Sequence, residues 1–505
     1  MKLIGLVERL GGSLSPVGGA GPRITGVHLD SRRVGAGDLF AALSGTKDDG
    51  VRFANDAVAR GAAALLVSKA IPATTNAAGT PVPQWIHPEP RRAAGLAAAL
   101  VYGSPASKMF ACAVTGTNGK TTTAHLVGHL LAKAGRRPAV LGTAGNRLAD
   151  GVLRTATHTT PDAPELQRIL VQHAELGGDA IAMEASSHAL DQDRLAGIDF
   201  DVAIFTNLTR DHLDYHGDLD TYARAKERLF SGLTSKSVAV VNADEPASER
   251  MAAAARRAGA RVVTYSARLE GDLCASQVRT DLRGTELILN GMGISRTRLW
   301  LPLTGRYNVE NALAAAAATL VSGASPSIIL EGLATAPSAP GRLEPVPTNG
   351  RGFTLLVDYA HSEAALENVC RVLRQSLEPK TDEARAAEAG RLIVVFGCGG
   401  DRDKGKRAPM GRVVNELADV AIVTSDNPRS EDPERIVAEI LEGMEPGGAE
   451  RIVEIDRRSA IETAVRRARK GDVVLIAGKG HETTQTIGTK VLEFDDRKVA
   501  REALR

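Results

Sequence analysis

Short apolar runs that alternate with helical patterns constrain this chain more than any other feature of its sequence. The runs lie at 110–114, 180–183, 202–205, 238–241, 392–396, 420–423 and 473–476. Alternation of strand and helix is typical of parallel sheets that carry helices on both faces. The sequence therefore predicts an α/β protein whose ligand sites lie at the carboxyl ends of its strands.

Length and linker composition predict how the chain is divided. Its 505 residues exceed what one hydrophobic core commonly holds, so about three domains are expected. Stretches of small residues and proline at 102–107 and 334–341 are typical of linkers. We predict a smaller α/β amino-terminal domain, a central parallel-sheet domain with a phosphate-binding loop (P-loop) and a Rossmann-like carboxy-terminal domain. Their predicted bounds are 1–106, 107–337 and 338–505.

Charge and cysteine content argue against several classes of function. The formal net charge is +2 and both signs are spread along the chain, so neither nucleic acid nor a membrane surface is an expected partner. The four cysteines are scattered without a C-x-x-C pair, which argues against a disulfide framework and a zinc site. We find no apolar secretion signal and no window of roughly 18 apolar residues, so a cytoplasmic location is expected. The polar segment 376–390 is predicted to be a helix extension or a mobile insert.

The segment after the first apolar run has the form of a P-loop. The sequence TGTNGKTT at 115–122 separates that run from a helical pattern. Its two glycines would let backbone amides and the helix N-terminus face an anion. Lys120 would reach the β- and γ-phosphates of ATP, and Thr121 would bind Mg²⁺. The strict motif requires glycine where this chain has Val114, so the alternative is a glycine-rich turn with an incidental lysine.

Carboxylate and imidazole side chains follow two further apolar runs. Glu184 ends one run, and His212 lies in the sequence TNLTRDHLD at 206–214, after another. Beside a P-loop, these side chains could hold Mg²⁺ against ATP. By itself, Glu184 could equally cap a helix or form an ion pair. Lys226 lies in an amphipathic helical pattern, and periodicity alone predicts that it is solvated.

An ordered set of short motifs resembles the Mur ligase family over nearly the whole chain. The motifs are TGTNGKTT at 115–122, MEASSH at 183–188, TNLTRDHLD at 206–214, LPLTGRYNVEN at 301–311, PGRLE at 340–344, VDYAH at 357–361 and GKGHE at 478–482. Each is weak alone, but their joint order and spacing are specific. Folylpolyglutamate synthetases share the P-loop but lack the amino-terminal domain that carries LDSR at 29–32.

The resemblance implies an activity, its substrates and its cofactors. It implies an ATP- and Mg²⁺-dependent ligase that joins meso-2,6-diaminopimelate to UDP-N-acetylmuramoyl-L-alanyl-D-glutamate through an acyl phosphate, in peptidoglycan synthesis. Separately, we expect the protein to be a monomer. The sequence DNPR at 426–429 resembles the signature of the diaminopimelate-adding branch, whereas lysine-adding relatives lack its arginine. In isolation, DNPR would be interpreted as an Asx-Pro turn with a surface arginine. The alternatives are a lysine-adding or dipeptide-adding relative, and a P-loop regulatory switch.

The resemblance also assigns residues to each ligand. Positions that match ATP contacts are Gly116, Thr117, Asn118, Gly119, Lys120, Thr121, Thr122, Asn308, Arg342 and Asp358. Positions that match contacts to the UDP substrate are Leu29, Ser31, Thr46, Lys47, Asp48, Thr159, Thr160, Ser186, Gln192 and Arg194. Positions that match contacts to diaminopimelate are Arg402, Asp426, Asn427, Pro428, Arg429, Gly478 and Glu482. The implied metal ligands are Thr121, Glu184, His212 and Lys226 as a carbamate, and the implied catalytic residues are Lys120, His212 and Lys226.

Overall fold

A computed structural model describes residues 1–16, 21–44, 49–156, 158–268, 270–377 and 390–505. Most of the polar segment predicted at 376–390 lies outside these described residues. The chain forms two compact units. The first comprises Met1–Ala275, Leu289–Thr297 and Glu310–Gly332, and the second comprises Ser276–Ile288, Arg298–Val309 and Leu333–Arg505. The domain bounds at 106/107 and 337/338 stay a prediction.

The amino-terminal part of the first unit is a small sheet that is buried on both faces. Its strands are β1 (Ser13–Ser15), β2 (Gly26–His28), β3 (Asp38–Ala41), β4 (Ala64–Val67) and β5 (Gln84–Ile86), and its helices are α1 (Leu3–Leu10), α2 (Ala54–Ala59) and α3 (Pro90–Val101). The strand order is β1-β5-β4-β3-β2, with β1 antiparallel to β5 and the other pairs parallel. Leu39 and Leu66 pack in one core and Phe40 and Leu65 in another, because successive strand side chains point to opposite faces.

The second sheet of the first unit carries the P-loop on its central strand. The strands are β6 (Phe110–Thr115), β7 (Pro138–Gly142), β8 (Gly145–Arg147), β9 (Leu153–Arg154), β10 (Ala180–Glu184), β11 (Val202–Phe205), β12 (Val238–Asn242) and β13 (Arg261–Ser266). They run in the order β13-β12-β11-β6-β10-β7-β8-β9, parallel from β13 to β7 and antiparallel at β8 and β9. The carboxyl ends of β6, β10 and β11 therefore lie at one edge of the sheet.

Helices connect the strands of this sheet, and further strands follow it in the chain. The helices are α4 (Lys120–Lys133), α5 (Ala163–Glu175), α6 (Ser187–Asp191), α7 (Leu213–His216), α8 (Leu219–Ser231) and α9 (Ser248–Arg257). The strands that follow are β14 (Leu273–Asp281), β15 (Gly284–Gly291) and β16 (Ile294–Leu301), and they continue the same sheet beyond β13 in the order β16-β15-β14-β13. The helices that follow are α10 (Arg306–Val321) and α11 (Pro326–Ala334). None of the helices in the described ranges combines the length and apolar character that a membrane crossing requires.

The second unit contains a sheet that is covered by helices on both faces. Its strands are β17 (Glu344–Pro345), β18 (Thr354–Asp358), β19 (Leu392–Phe396), β20 (Val420–Val423), β21 (Glu450–Val453) and β22 (Val473–Ala477), in the order β17-β18-β22-β19-β20-β21. The pairs are parallel except that of β17 with β18. The remaining elements are α12 (Glu363–Leu377), α13 (Arg407–Leu417), α14 (Pro433–Leu441), α15 (Arg457–Arg467), the hairpin of β23 (Thr484–Ile487) with β24 (Lys490–Glu493), and α16 (Asp496–Ala503).

Both faces of this sheet are apolar, which explains the continuous hydrophobic run at β19. Val394 and Phe396 pack in a core with Leu366 of α12. Ile393 and Val395 pack in the opposite core with residues of α15 and α16. The predicted α/β class, with parallel sheets between helices, is confirmed.

Candidate active site

The P-loop depends on glycine at two positions. β6 ends at Thr115 and α4 begins at Lys120, and the intervening chain contains Gly116 with φ +151° and Gly119 with φ +85°. A Cβ on Gly116 would approach Thr206 Oγ1 to 1.9 Å, and a Cβ on Gly119 would approach Asn311 Oδ1 to 2.3 Å. Because backbone and side chains approach so closely here, no larger residue fits without displacement. The loop, Lys120 and the start of α4 thus have the predicted arrangement, although Val114 stands where the strict motif requires glycine.

The segment that follows β11 holds the P-loop in place. β11 lies beside β6, with Phe205 opposite Thr115. Thr206 Oγ1 donates to the Asn118 carbonyl at 2.6 Å, and the Thr117 amide donates to the Asn207 carbonyl at 2.9 Å. The Asn118 amide also donates to Asn207 Oδ1 at 2.8 Å. The structure therefore brings the motif at 206–214 against the P-loop, as the order of the strands predicts.

Lys120 and Lys226 converge on the same loop carbonyl. Lys120 Nζ donates to the Gly116 carbonyl at 2.9 Å and to the Thr117 carbonyl at 2.7 Å. Lys226 Nζ donates to the same Gly116 carbonyl at 2.9 Å. Both amino groups thus lie where the P-loop would receive the phosphates of a nucleotide.

Lys226 is buried, which contradicts the prediction of a solvated lysine from periodicity alone. It is 1% exposed on α8, and its Nζ lies 4.1 Å from the centroid of the Tyr222 ring. Burial lowers the pKa of the Lys226 amino group well below its ordinary value. The nearby charge of Lys120 lowers this pKa further, while Asp211 acts in the opposite direction. The neutral form of this amine is therefore more favoured here than in an exposed lysine.

Glu184 ends β10 and lies beside the strand that leads into the P-loop. It pairs in register with Val114 and is 1% exposed. Its Oε1 accepts from the Thr143 amide at 2.8 Å and its Oε2 from the Thr143 hydroxyl at 3.2 Å. That hydroxyl also lies 3.0 Å from Thr159 Oγ1. Within the described ranges Glu184 forms no ion pair, so the ion-pair alternative is not supported.

His212 follows β11 and carries imidazole nitrogens, one of which could bind a metal ion. Its backbone is left-handed, with φ +53°, and its Nε2 lies 3.6 Å from Asp211 Oδ2. Its ring centroid lies 4.9 Å from that of His188. Burial, followed by the charges of His212 and His216, lowers the pKa of His188 to about 4, so His188 is neutral near pH 7.

The predicted Mg²⁺ ligands fit the ion only in part. Mg²⁺ prefers oxygen donors, and Thr121 and Glu184 supply a hydroxyl and a carboxylate. The ammonium form of Lys226 does not fit a cation, whereas a carbamate on it would fit. The described residues contain no group of three or more His, Cys, Asp or Glu side chains arranged for a metal. The predicted ligand set relies instead on Thr121 and on a carbamate at Lys226, which are not among these four side-chain types. The predicted Mg²⁺ site therefore stays a prediction.

Several residues assigned to the UDP substrate lie together beside Glu184. Thr160 Oγ1 donates to the Glu184 carbonyl at 2.8 Å and accepts from the Ser186 amide at 3.2 Å. Arg194 Nη1 donates to the Thr160 carbonyl at 3.1 Å, and its Nη2 donates to Gln192 Oε1 at 2.8 Å. The structure thus joins these side chains into one polar network next to the P-loop.

The amino-terminal positions assigned to the UDP substrate are only partly described. Ser31 is buried and begins a short 3-10 helix, while Leu29 lines a cavity. The cavity wall also includes Asp162, whose Oδ1 lies 3.3 Å from Arg194 Nε. Leu29 and the acidic partner of Arg194 therefore line the same cavity. The predicted positions Thr46, Lys47 and Asp48 lie outside the described residues.

The remaining positions assigned to ATP lie in the second unit. The Asp358 carboxylate accepts from two backbone amides, at 2.7 and 2.8 Å. Burial raises the pKa of Asp358 above its ordinary value, although Arg342 and these amides oppose the shift. The Arg342 guanidinium lies 4.9 Å from the centroid of the Tyr359 ring, and Asn308 Nδ2 donates to the Thr304 carbonyl at 2.8 Å. Their role in nucleotide binding stays a prediction.

The motifs DNPR and GKGHE meet beyond the carboxyl ends of β20 and β22. Asn427 Nδ2 donates to Glu482 Oε2 at 2.8 Å, and Lys479 Nζ donates to the same oxygen at 3.1 Å. Gly478 has φ +112°, and a Cβ there would approach Asp426 Oδ2 to 2.6 Å. The structure therefore places the residues assigned to diaminopimelate in one cluster, although they are about 50 positions apart in the chain.

Arg429 is anchored at this cluster and is not a free surface arginine. Its backbone is left-handed, with φ +52°, and its Nη1 donates to the Gly400 carbonyl at 2.7 Å. Its amide donates to the Thr486 carbonyl at 3.1 Å, which joins the DNPR segment to β23. Arg429 and the exposed Arg402 both border Gly399. A Cβ added to Gly399 would lie 2.9 Å from Arg429 Nη1 and 3.8 Å from Arg402 Cγ. Pro428 links Asn427 to Arg429 in this segment.

The structure adds residues that the sequence analysis did not single out. Thr143 binds the Glu184 carboxylate, Asn207 binds the P-loop, and Lys479 binds Glu482. Asn207 and Lys479 lie within recognised motifs, so membership of a motif was a usable signal for them. Thr143 has no such signal, and its position depends on how β7 pairs with β10.

Comparisons with known proteins agree with these motifs. The chain matches the Mur ligase middle domain over 114–319, the Mur ligase glutamate ligase domain over 341–480 and the Mur ligase family catalytic domain over 23–101. Relatives from Geobacillus kaustophilus (strain HTA426) and Syntrophomonas wolfei subsp. wolfei (strain DSM 2245B / Goettingen) are each 42% identical, over 100% of this chain and 99% of theirs. Both are named UDP-N-acetylmuramoyl-L-alanyl-D-glutamate--2,6-diaminopimelate ligase. A solved structure of a ligase of that name is 36% identical, with a TM-score of 0.68, and the match covers 95% of this chain and 94% of that one.

Proposed function

Because the chain belongs to the Mur ligase family, we propose that it joins meso-2,6-diaminopimelate to UDP-N-acetylmuramoyl-L-alanyl-D-glutamate in an ATP-dependent reaction. The products are the UDP-muramoyl tripeptide, ADP and phosphate, and the reaction belongs to peptidoglycan synthesis. Full-length relatives at 42% identity carry the name of this ligase, which supports the choice of substrates.

The observation that carries the proposal is the arrangement at the ends of β6 and β10. The P-loop leaves β6, and Glu184 ends the neighbouring strand in register with Val114. The network of Thr160 and Arg194 is hydrogen-bonded to the Glu184 backbone. A loop suited to ATP phosphates therefore borders a polar network with a cation suited to an anionic substrate, as transfer of a phosphoryl group to that substrate requires.

The reaction needs no nucleophile from the protein. An oxygen of the D-glutamyl carboxylate attacks the γ-phosphorus of ATP, the bond to ADP breaks, and an acyl phosphate forms. The neutral amine of diaminopimelate then attacks the acyl carbon, the C–O bond to phosphate breaks, and the amine proton passes to the medium. Lys120 and the loop amides stabilise the charge on the transferring phosphoryl group.

Mg²⁺ belongs to the proposal through the residues that would hold it. Those residues are Thr121, Glu184, His212 and Lys226 as a carbamate. When bound, the ion would neutralise phosphate charge. The protein itself contributes the buried Glu184 carboxylate, which Thr143 orients, and the buried Lys226 amine, whose pKa is lowered by burial.

The second unit contributes the groups that would recognise diaminopimelate. Arg429, with Arg402 beside it, would bind the distal carboxylate, because a planar guanidinium can grip a carboxylate through two parallel hydrogen bonds. Glu482 would accept from the distal ammonium. The same proposal places the nucleotide sugar on residues 1–106, ATP on 107–337 and the amino acid on 338–505. A monomeric state and a cytoplasmic location stay predictions of the sequence.

Phosphate release with each substrate omitted in turn tests the proposal. We expect ATP turnover only when the UDP-muramoyl dipeptide and diaminopimelate are both present, together with a product whose mass equals that of the tripeptide. Hydrolysis of ATP without either substrate would instead support a P-loop switch. Turnover with lysine or a dipeptide in place of diaminopimelate would support one of the related ligases.

A further inference from the structure

Lys479 is a fully buried cation whose hydrogen bonds are complete. It is 0% exposed and follows β22 in the GKGHE motif. Its Nζ donates to Asn427 Oδ1 at 3.2 Å, to Glu482 Oε2 at 3.1 Å and to the Thr484 carbonyl at 2.7 Å. An ammonium has three N–H donors, and these acceptors match all of them. A buried charge is costly unless it is paired and hydrogen-bonded, and these three bonds meet that requirement.

The bonds of Lys479 determine which way the Asn427 amide points. Asn427 Oδ1 accepts from both Lys479 Nζ and the Thr486 amide, the latter at 2.9 Å. A flipped amide would place its NH₂ group against these two donors, so Oδ1 must face them. Asn427 Nδ2 is thereby directed at Glu482 Oε2, to which it donates at 2.8 Å.

Lys479 and Asn427 together hold one oxygen of Glu482. Both hydrogen bonds that this carboxylate accepts from the described residues fall on Oε2. The Glu482 side chain is 33% exposed. Oε1 accepts no hydrogen bond from the described residues, and the bonds on Oε2 set its orientation.

We propose that Lys479 is a positioning residue that orients Glu482 and Asn427 to receive the distal ammonium of the incoming amino acid. This inference rests on the proposed function, since it concerns the same amino-acid site. Lys479 itself does not touch the substrate. Because diaminopimelate and lysine share a distal ammonium, Lys479 affects the binding of both, whereas Arg429 reads the carboxylate that only diaminopimelate carries.

The test compares Lys479→Met, which removes the donors at similar length, with Lys490→Met, an exposed lysine on the adjacent hairpin. Lys479→Met should raise the KM for diaminopimelate by about tenfold or more, as expected for lost charge-assisted hydrogen bonds. The KM values for ATP and the UDP substrate should stay within about twofold of wild type, and the preference for diaminopimelate over lysine should not change. Lys490→Met should behave as wild type. A purely structural role would lower Tm and the active fraction while leaving every KM unchanged.

A double-mutant cycle keeps the inference testable. If Lys479 acts through Glu482, adding Lys479→Met to Glu482→Gln should raise the KM for diaminopimelate no further than Glu482→Gln alone. Independent, additive effects would overturn the inference. If Lys479→Met does not fold, Lys479→Gln can replace it, because glutamine retains hydrogen-bond donors. Lys479→Gln should also raise the KM for diaminopimelate selectively, by a smaller factor. A wild-type enzyme without diaminopimelate-dependent turnover would refute the proposed function, whereas an active wild type with an unchanged KM in the variants would refute only this inference.

Discussion

Lys226 and Lys479 are both buried lysines, but their surroundings differ in charge. Lys226, in the first unit, donates to the Gly116 carbonyl, faces the Tyr222 ring and lies near the cation of Lys120. Lys479, in the second unit, has an acceptor for every proton, and one of these acceptors is a carboxylate. Sequence pattern alone does not separate the two residues.

Because both lysines are buried, the difference in their chemistry comes from their partners. Desolvation and a like charge favour the neutral amine at Lys226, and only a neutral amine can react with CO₂ to form a carbamate. At Lys479, each of the three N–H donors has an acceptor, and these hydrogen bonds hold the side chain in one position. We therefore expect modification at the first site and none at the second.

The largest effect is expected at Lys120, the cation that lies near Lys226 in the first unit. Lys120→Ala should lower turnover by about a thousandfold, because it removes a preorganised charge from the phosphate site. Binding of the UDP substrate, measured by calorimetry, should change little, since that ligand is assigned to other residues. Lys133→Ala on the same helix is the matched control and should be active. A Lys120→Ala enzyme with more than about a tenth of wild-type turnover would contradict the assigned role.

A smaller but still severe loss is expected at Lys226. Lys226→Ala should lower turnover by about a hundredfold. Short carboxylic acids should restore part of it, because they supply the oxygen donor that a carbamate would provide. The same acids should not restore the turnover of Lys479→Ala, because that variant has lost hydrogen-bond donors and a carboxylic acid cannot replace them. Equal rescue of both variants would remove the distinction between the two lysines.

A selective effect is expected at Arg429. Wild type should prefer diaminopimelate over lysine by roughly 10⁴-fold in kcat/KM, because lysine would leave a desolvated guanidinium unpaired. Arg429→Ala should lose most activity with diaminopimelate and narrow that preference by about tenfold or more. Arg435→Ala, an exposed arginine nearby, is the control. An Arg429→Ala enzyme with the wild-type preference would show that another group reads the distal carboxylate.

Much of the fold could be predicted because its strands are apolar runs. β6, β10, β11, β12, β19, β20 and β22 lie within about one residue of the predicted runs, since both faces of these strands are buried. Strands such as β14, β23 and β24 carry many exposed polar residues and gave no comparable signal. Local sequence thus predicts the strands that form the cores and misses those whose pairing depends on tertiary contacts.

The site could be predicted only where a motif carries its own geometry. The P-loop was predictable because strand, glycines, lysine and helix are contiguous in the chain. The burial of Lys226 and Lys479 was not, because lysine is ordinarily exposed and the groups that bury it come from distant segments. The pairing of Asn427 with Glu482 likewise spans 55 positions and depends on β20 and β22 ending at the same edge of their sheet.

Carbon-13 NMR of the protein equilibrated with ¹³C-labelled bicarbonate tests the contrast between the two lysines most directly. The account predicts a protein-bound carbamate resonance in wild type that persists in Lys479→Met and disappears in Lys226→Met. A wild-type protein without a carbamate resonance, or a resonance that survives in Lys226→Met, would contradict it.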